Sequence, residues 1–247
     1  NFENLEYLGI ENAVNCLDGD LADEASLIDA VKRIYPNEIY NLAAQSFVGT
    51  SWDQPTVTCE INGMGVLKLL NAIKICCPMA KFYQASTSEM FGNVQANGIQ
   101  DEKTPFHPRS PYAISKLFAY WMTVNYRESN NMFCSNGILF NHESPIRGKE
   151  FVSRKITDGV ARLKLGLAKE IRLGNLDSRR DWGFAGDYVE AMWLMLQQEN
   201  PDDFIISTGE THSVRDFLDL AFKQVGINDW APYVKIDLKY KRPAELF

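Results

Sequence analysis

Short apolar runs alternate along the chain with amphipathic stretches of helical spacing. That alternation restricts it to an α/β architecture around a mostly parallel sheet. Ala25, Ile28, Val31 and Ile34 recur at helical spacing, so 22–35 reads as a helix closed by Pro36. Residues 38–42 follow as a strand. Val57, Ile61, Val66, Leu69, Leu70 and Ile73 predict one long helix over 56–76. Residues 81–86 form the next expected strand. The next helix spans 110–128, with Ser110 as N-cap and Pro111 at its first position. A strand over 132–140, a helix over 188–197 and a strand over 204–207 complete the pattern. Two stretches, 141–183 and 209–247, are rich in charge, glycine and polar residues. They read as a second, smaller lobe that interrupts the main sheet.

The composition narrows the partners. Apolar residues make up 45% of the 247, enough for a sizeable core. A net charge of -7 argues against nucleic acid held by its phosphates, which needs a basic surface. It leaves room for a small anionic ligand, since a few placed arginines suffice. No apolar run approaches the roughly 20 residues that span a bilayer, so no membrane partner is expected. The five cysteines are odd in number and irregular in spacing, as in reduced thiols of a cytoplasmic protein. His, Cys and the acids show no metal-ligand spacing. His107 and His212 read as surface or loop residues, and the tryptophans and 192–196 as core.

Parallel sheets present ligands at the carboxyl ends of their strands. Ser86, Thr87, Ser88 and Glu89 stand at the end of the 81–86 strand. Tyr112 and Lys116 are four apart near the start of the next helix and share one face. A lysine beside a tyrosine favours the phenolate, which gives a usable base for a sugar hydroxyl. Tyr-x-x-x-Lys alone is a weak signal; the Ser/Thr-rich strand end and the capped helix give it weight.

This set resembles the Ser/Thr-Tyr-Lys constellation of the extended short-chain dehydrogenases/reductases. The run Asn41, Leu42, Ala43, Ala44, Gln45, Ser46 is similar to the strand end that lies along the dinucleotide in that family, and Asp20-Leu21 to its adenine contact. Glu89, two residues after Thr87, resembles the dehydratase branch. The strings 136–145 and 173–183, and Arg242-Pro243-Ala244-Glu245, resemble the GDP-mannose 4,6-dehydratases. The fold implied is a Rossmann-like doubly wound parallel sheet with a smaller substrate-binding lobe. Residues 1–140 with 184–208 would form the NADP-binding part, and 141–183 with 209–247 the substrate lobe.

Two departures from the family pattern stand out. No Gly-rich turn precedes Asp20, and Gly63 and Gly65 fall inside a helix pattern, where they read as close-packing positions. A sheet lacking its first strand would have a gap in its middle. The expectation is therefore that residues precede this stretch, and that the 247 residues alone bind NADP weakly. The second departure is Ile146 before Arg147-Gly148, where the family usually has two arginines.

The resemblance implies the following roles. Thr87, Glu89, Tyr112 and Lys116 are catalytic. NADP is held by Asp20, Leu21, Leu42, Ala43, Ala44, Gln45, Ser46, Tyr112, Lys116 and Arg147; His142 is read either as a further contact or as structural. Ser88, Asn141, Lys155, Arg180, Arg242 and Glu245 hold the nucleotide sugar, with Arg180 and Arg242 on its diphosphate. The reaction implied oxidises the sugar at C4, eliminates water across C5–C6 and returns hydride to C6. The substrate would be GDP-mannose and the assembly a homodimer or homotetramer. A dehydratase for another nucleotide sugar, a 4-epimerase, and an inactive relative remain as alternatives, of which Glu89 disfavours the epimerase.

Overall fold

The computed structural model describes residues 3–92 and 99–240. The elements in chain order begin with helix α1 (Glu3–Leu8), α2 (Glu24–Ile34), strand β1 (Glu38–Asn41), α3 (Val48–Asp53), α4 (Pro55–Cys59) and α5 (Gly65–Cys76). Then come β2 (Lys81–Thr87), α6 (Pro111–Asn130), β3 (Cys134–Leu139), β4 (Asn141–Glu143), α7 (Val152–Lys164), β5 (Ile171–Leu173), β6 (Arg179–Arg180) and β7 (Trp182–Phe184). The series ends with α8 (Ala185–Leu196), β8 (Asp203–Ile206), β9 (His212–Ser213), α9 (Val214–Gln224) and β10 (Val234–Ile236).

The main sheet has the order β1-β2-β3-β8, all parallel. Among the described residues its four strands are contiguous, with β1 at one edge. Helices α2, α5 and α6 cover one face, where Val66, Leu70, Ile73, Phe82 and Ala119 share a core. Leu70 and Ile73 are wholly buried. Cutting either to alanine costs about 2–5 kcal/mol, the lost transfer energy plus a cavity. Helix α8 covers the other face through Tyr188, Met192, Met195 and Leu196, which pack on Tyr83 and Leu139.

The helix expected over 56–76 is interrupted. Residues Glu60–Met64 form a π turn between α4 and α5. Two close approaches accompany it. A Cβ on Gly65 would stand 2.8 Å from Leu21 Cβ, and one on Gly63 would stand 3.2 Å from Phe118 Cδ1. At Gly65 a Cβ would force Leu21 to shift, while at Gly63 the Phe118 ring would need to give by only a few tenths of an ångström. The turn aims Asn62 at the backbone of Gln45: the Gln45 N–H donates to Asn62 Oδ1 at 2.8 Å, and Asn62 Nδ2 donates to the Gln45 carbonyl at 3.0 Å.

Residues of the two stretches expected to form a smaller lobe share a core. Ile156 and Val160 of α7, Ile171 and Leu173 of β5, Leu218 and Phe222 of α9 and Val234 of β10 pack together. Strand β5 pairs with β10 in parallel, and β6 with β9 antiparallel. Strand β4 pairs with β7, so the chain leaves the main sheet at Asn141 and returns to α8 beside its own exit. No helix among the described residues is long and apolar enough to cross a membrane.

Candidate active site

The site is built at the carboxyl ends of β1, β2 and β3. Strand β2 ends at Thr87, which is buried and caps the short 3-10 turn Ser88–Met90: its Oγ1 accepts the Glu89 N–H at 3.2 Å. That bond fixes the backbone carrying Ser88 and Glu89, both half-buried. Helix α6 starts where expected. The Ser110 hydroxyl accepts the Ala113 N–H at 3.1 Å, and Pro111 occupies the first turn, where a missing N–H costs nothing. Tyr112 is half-buried in that first turn. Helix α6 packs on β2 and on the 3-10 turn, and its Lys116 reaches Ala85, two residues before Thr87.

Lys116 is buried, and its ammonium donates to the Ala85 carbonyl of β2 at 2.9 Å. Burial pulls its pKa down to about 8, because an ammonium stripped of water is disfavoured. The same ammonium stands 6.0 Å from the Tyr112 ring centroid.

Leu42 to Ser46 follow β1. Leu42, Ala43 and Ser46 are exposed; Ala44 and Gln45 are half-buried. His142 lies on β4, its ring stacked on Tyr188 with centroids 4.8 Å apart. Its Nδ1 is 2.9 Å from the Phe140 carbonyl, so Nδ1 donates and Nε2 is left as acceptor in the neutral ring. Burial lowers the His142 pKa and favours that neutral form. Arg147 lies 3.6 Å above the Phe151 ring and 3.3 Å from Glu143 Oε2. Phe151 meets Phe47 edge-on at 6.1 Å, which connects the Arg147 loop to the segment after Ser46. Asp20 turns its carboxylate onto its own loop, accepting the Ala22 N–H at 2.8 Å, and Leu21 packs on Gly65.

Asn141 pairs in register with Trp182, two residues after Arg180 along the chain. Lys155 of α7 stands 3.3 Å over the Tyr240 ring. Arg242 and Glu245 lie outside the described residues. Among the described residues, no group of three or more His, Cys, Asp or Glu side chains could hold a metal ion.

Sequence reasoning missed Asp181. This buried carboxylate accepts the N–H of Thr208 at 3.0 Å, the Thr208 hydroxyl at 2.9 Å and the Gly209 N–H at 2.9 Å. It pins the strand carrying Arg180 to the turn after β8. It also missed Glu143, which holds both Arg147 and the Ser153 hydroxyl. The strings containing these acids stand out in the sequence, but their partners do not.

Comparison with known proteins fits this geometry. A family model described as GDP-mannose 4,6 dehydratase matches residues 1–246. GDP-mannose 4,6 dehydratases 2 and 1 of Arabidopsis thaliana are each 54% identical to the chain, over 231 and 232 residues. The matches cover 92% of this chain in both cases, and 61% and 63% of the relatives. The chain thus spans about six-tenths of the length of these curated relatives. RMD from Pseudomonas aeruginosa, solved in complex with NADPH, superposes with a TM-score of 0.83 at 24% identity, covering 95% of this chain and 81% of that one. At that identity the likeness speaks for the fold alone.

Proposed function

This chain belongs to the GDP-mannose 4,6-dehydratase family, and from that premise we propose that it converts GDP-mannose to the 4-keto-6-deoxy nucleotide sugar with NADP. The observation that supports it is the packing of α6, whose Lys116 ammonium reaches the Ala85 carbonyl, against the strand end that carries Thr87 and Glu89.

The donors suit a nicotinamide nucleotide. An exposed apolar Leu42 and the Ser46 hydroxyl lie beyond β1, a buried cation lies at Lys116, and the neutral His142 offers an acceptor nitrogen. The chemistry a bound nicotinamide supplies is reversible hydride acceptance, from C4 first and back to C6 last. NADP over NAD rests on the family.

Tyr112, as phenolate, takes the proton of the sugar 4-hydroxyl. The Lys116 cation lowers the cost of that phenolate, and Thr87 donates a hydrogen bond to the reacting oxygen. A ketone at C4 makes the C5 proton acidic. Glu89 removes that proton and delivers it to the C6 hydroxyl, which leaves as water. Ser88, Asn141, Lys155 and Arg180, with Arg242 and Glu245, hold the nucleotide, Arg180 and Arg242 on its diphosphate. The cofactor part is 1–140 with 184–208 and the substrate part 141–183 with 209–247, a division supported by the separate core of the second.

The assembly is a homodimer or homotetramer. Its support is an apolar face: Ile114, Phe118 and Trp121 recur along α6, exposed, beside exposed Val57 and Met64. A monomer by light scattering would remove that part of the reading. The five free thiols fit a reducing, cytoplasmic compartment.

The test is incubation of the full chain and NADP with GDP-mannose, dTDP-glucose and UDP-glucose, with the products read by NMR. A 4-keto-6-deoxy product from GDP-mannose is expected. Product from another nucleotide sugar and none from GDP-mannose overturns the assignment.

A further inference from the structure

Gln84 lies in the middle of β2 and is wholly buried. A primary amide placed there costs stability unless each of its groups finds a partner. Both do. Its Oε1 accepts from Asn41 Nδ2 at 2.8 Å, and its Nε2 donates to the Ala85 carbonyl at 3.0 Å. That carbonyl is also the acceptor of the Lys116 ammonium. Asn41 is Gln84's register partner across β1 and β2, is itself buried, and directly precedes Leu42. A continuous line of buried polar groups therefore runs from the end of β1, through Gln84 and the Ala85 carbonyl, to Lys116.

The fold does not require this line. Replacing both members of a buried hydrogen-bonded pair by apolar groups of similar shape is often neutral or stabilising. An apolar pair would hold β1 to β2 as well, since the backbone ladder already joins them. What an apolar pair could not do is constrain the carbonyl that seats the ammonium.

We propose that Gln84, braced by Asn41, is a positioning residue for Lys116: it holds the Ala85 carbonyl and so sets where the ammonium stands relative to Tyr112. The inference rests on the dehydratase reading, in which that ammonium assists proton removal by Tyr112. Gln84 touches no substrate on this reading; it acts through Lys116. Small displacements of a catalytic group are costly, about a hundredfold in rate for about 1 Å.

The test uses the full chain with NADP and GDP-mannose. The parent is measured first. If the parent makes no product, the dehydratase reading fails and the inference falls with it; an active parent isolates the inference. In Gln84→Met, kcat is expected to fall roughly tenfold to a hundredfold, with KM for GDP-mannose unchanged to within about twofold. The double variant Asn41→Val/Gln84→Met leaves no orphan amide. It should melt near the parent temperature and still show the same loss in kcat, where a purely structural role would be rescued. In a Lys116→Met background, single-turnover reduction of the nicotinamide should be indifferent to Gln84→Met. Parental kcat in either folded variant, or an equal further loss in the Lys116→Met background, overturns the proposal. Should Gln84→Met not fold, the double variant decides alone.

Discussion

The Lys116 ammonium lies 6.0 Å from the centre of the Tyr112 ring, one turn further along α6. A phenol ordinarily titrates near 10, so Tyr112 needs a neighbouring cation to act as a base at neutral pH. Burial lowers the Lys116 pKa, but to about 8, so the lysine still carries its charge at pH 7. On the proposed reading the pair shares one role, the tyrosine moving the proton and the lysine stabilising the phenolate.

Tyr112→Phe keeps the ring and removes only the ionisable oxygen. Turnover of GDP-mannose should fall by roughly 10²–10⁴-fold, the usual range for losing a general base. Melting temperature and KM should stay near the parent values. Steady-state kinetics with a melting curve checks this, and turnover within a few-fold of the parent would take Tyr112 out of the base role.

Lys116 should show the conflict between function and stability. Its folded pKa of about 8 lies below the value of about 10.4 expected in the unfolded chain. Between these two values the unfolded chain binds more protons, so parent stability rises with pH across that window. Below about 8 the cost of the buried ammonium is felt in full, on the order of a few kcal/mol. Lys116→Met removes that cost. Its expected phenotype is loss of activity with a higher melting temperature at pH 7, and no rise in stability from pH 8 upward. Urea midpoints across pH measure it; a less stable Lys116→Met at pH 7 contradicts the argument.

Elements carried by local chemistry are readable from the sequence. The Ser110 cap and Pro111 predict the start of α6, because the capping bond spans three residues. The strands β1, β2 and β8 fall within a residue or two of expectation. The placement of Thr87 and Glu89 at the end of β2 and of Tyr112 and Lys116 on α6 is readable for the same reason, since strand end and helix face are local patterns. Helices α7 and α9 are not among the expected elements, although both are strongly amphipathic and α9 opens with a capping box of Ser213 and Asp216; they lie in stretches read only as rich in charge and polar residues. Each buries only three side chains, against a core drawn from both halves of the smaller lobe. The π turn at Glu60–Met64 is hidden because it accompanies close approaches by Leu21 and Phe118, distant in sequence. Gln84 and Asp181 escape notice likewise: their partners, Asn41 and Thr208, lie dozens of residues away.

Asp203 opens β8 and joins it to α6. Arg127 binds it with two bonds of 2.9 and 3.0 Å, Tyr120 donates at 2.8 Å and Asn136 at 2.8 Å. Burial alone would raise its pKa, but the bonds from Arg127, Asn136 and Tyr120 outweigh it and hold the carboxyl below its ordinary value. The unfolded chain therefore binds a proton first as pH falls. The stabilisation is complete above about pH 4 and is lost as pH drops through the lower folded value. Asp203→Asn removes the charge opposite the half-buried Arg127, which keeps the Cys134 carbonyl as an acceptor, and costs about 1–3 kcal/mol near neutral pH. The variant should also lose less stability than the parent on acidification below about pH 4. Denaturant midpoints for both proteins between neutral and acid pH check both effects, and parallel acid slopes would remove Asp203 from the account.

On the proposed dehydratase reading, Glu89 separates oxidation from elimination. Thr87 Oγ1 caps the turn that carries it, so the Glu89 backbone is held at the end of β2, while Tyr112 approaches from α6. On that reading the two groups serve different protons, Tyr112 that of the 4-hydroxyl and Glu89 that of C5. Glu89→Gln preserves size and polarity and removes the basic carboxylate. On adding GDP-mannose, this variant should still accumulate the reduced nicotinamide, seen by its absorbance, at a rate near that of the parent. Dehydrated product should fall by roughly 10²–10⁴-fold, as for loss of a general base. Incorporation of solvent deuterium at C5 should fall with it. If Glu89 only braced the turn, both half-reactions would slow together or neither would. Near-parental formation of the 4-keto-6-deoxy sugar with normal C5 exchange in Glu89→Gln would assign the elimination to another residue.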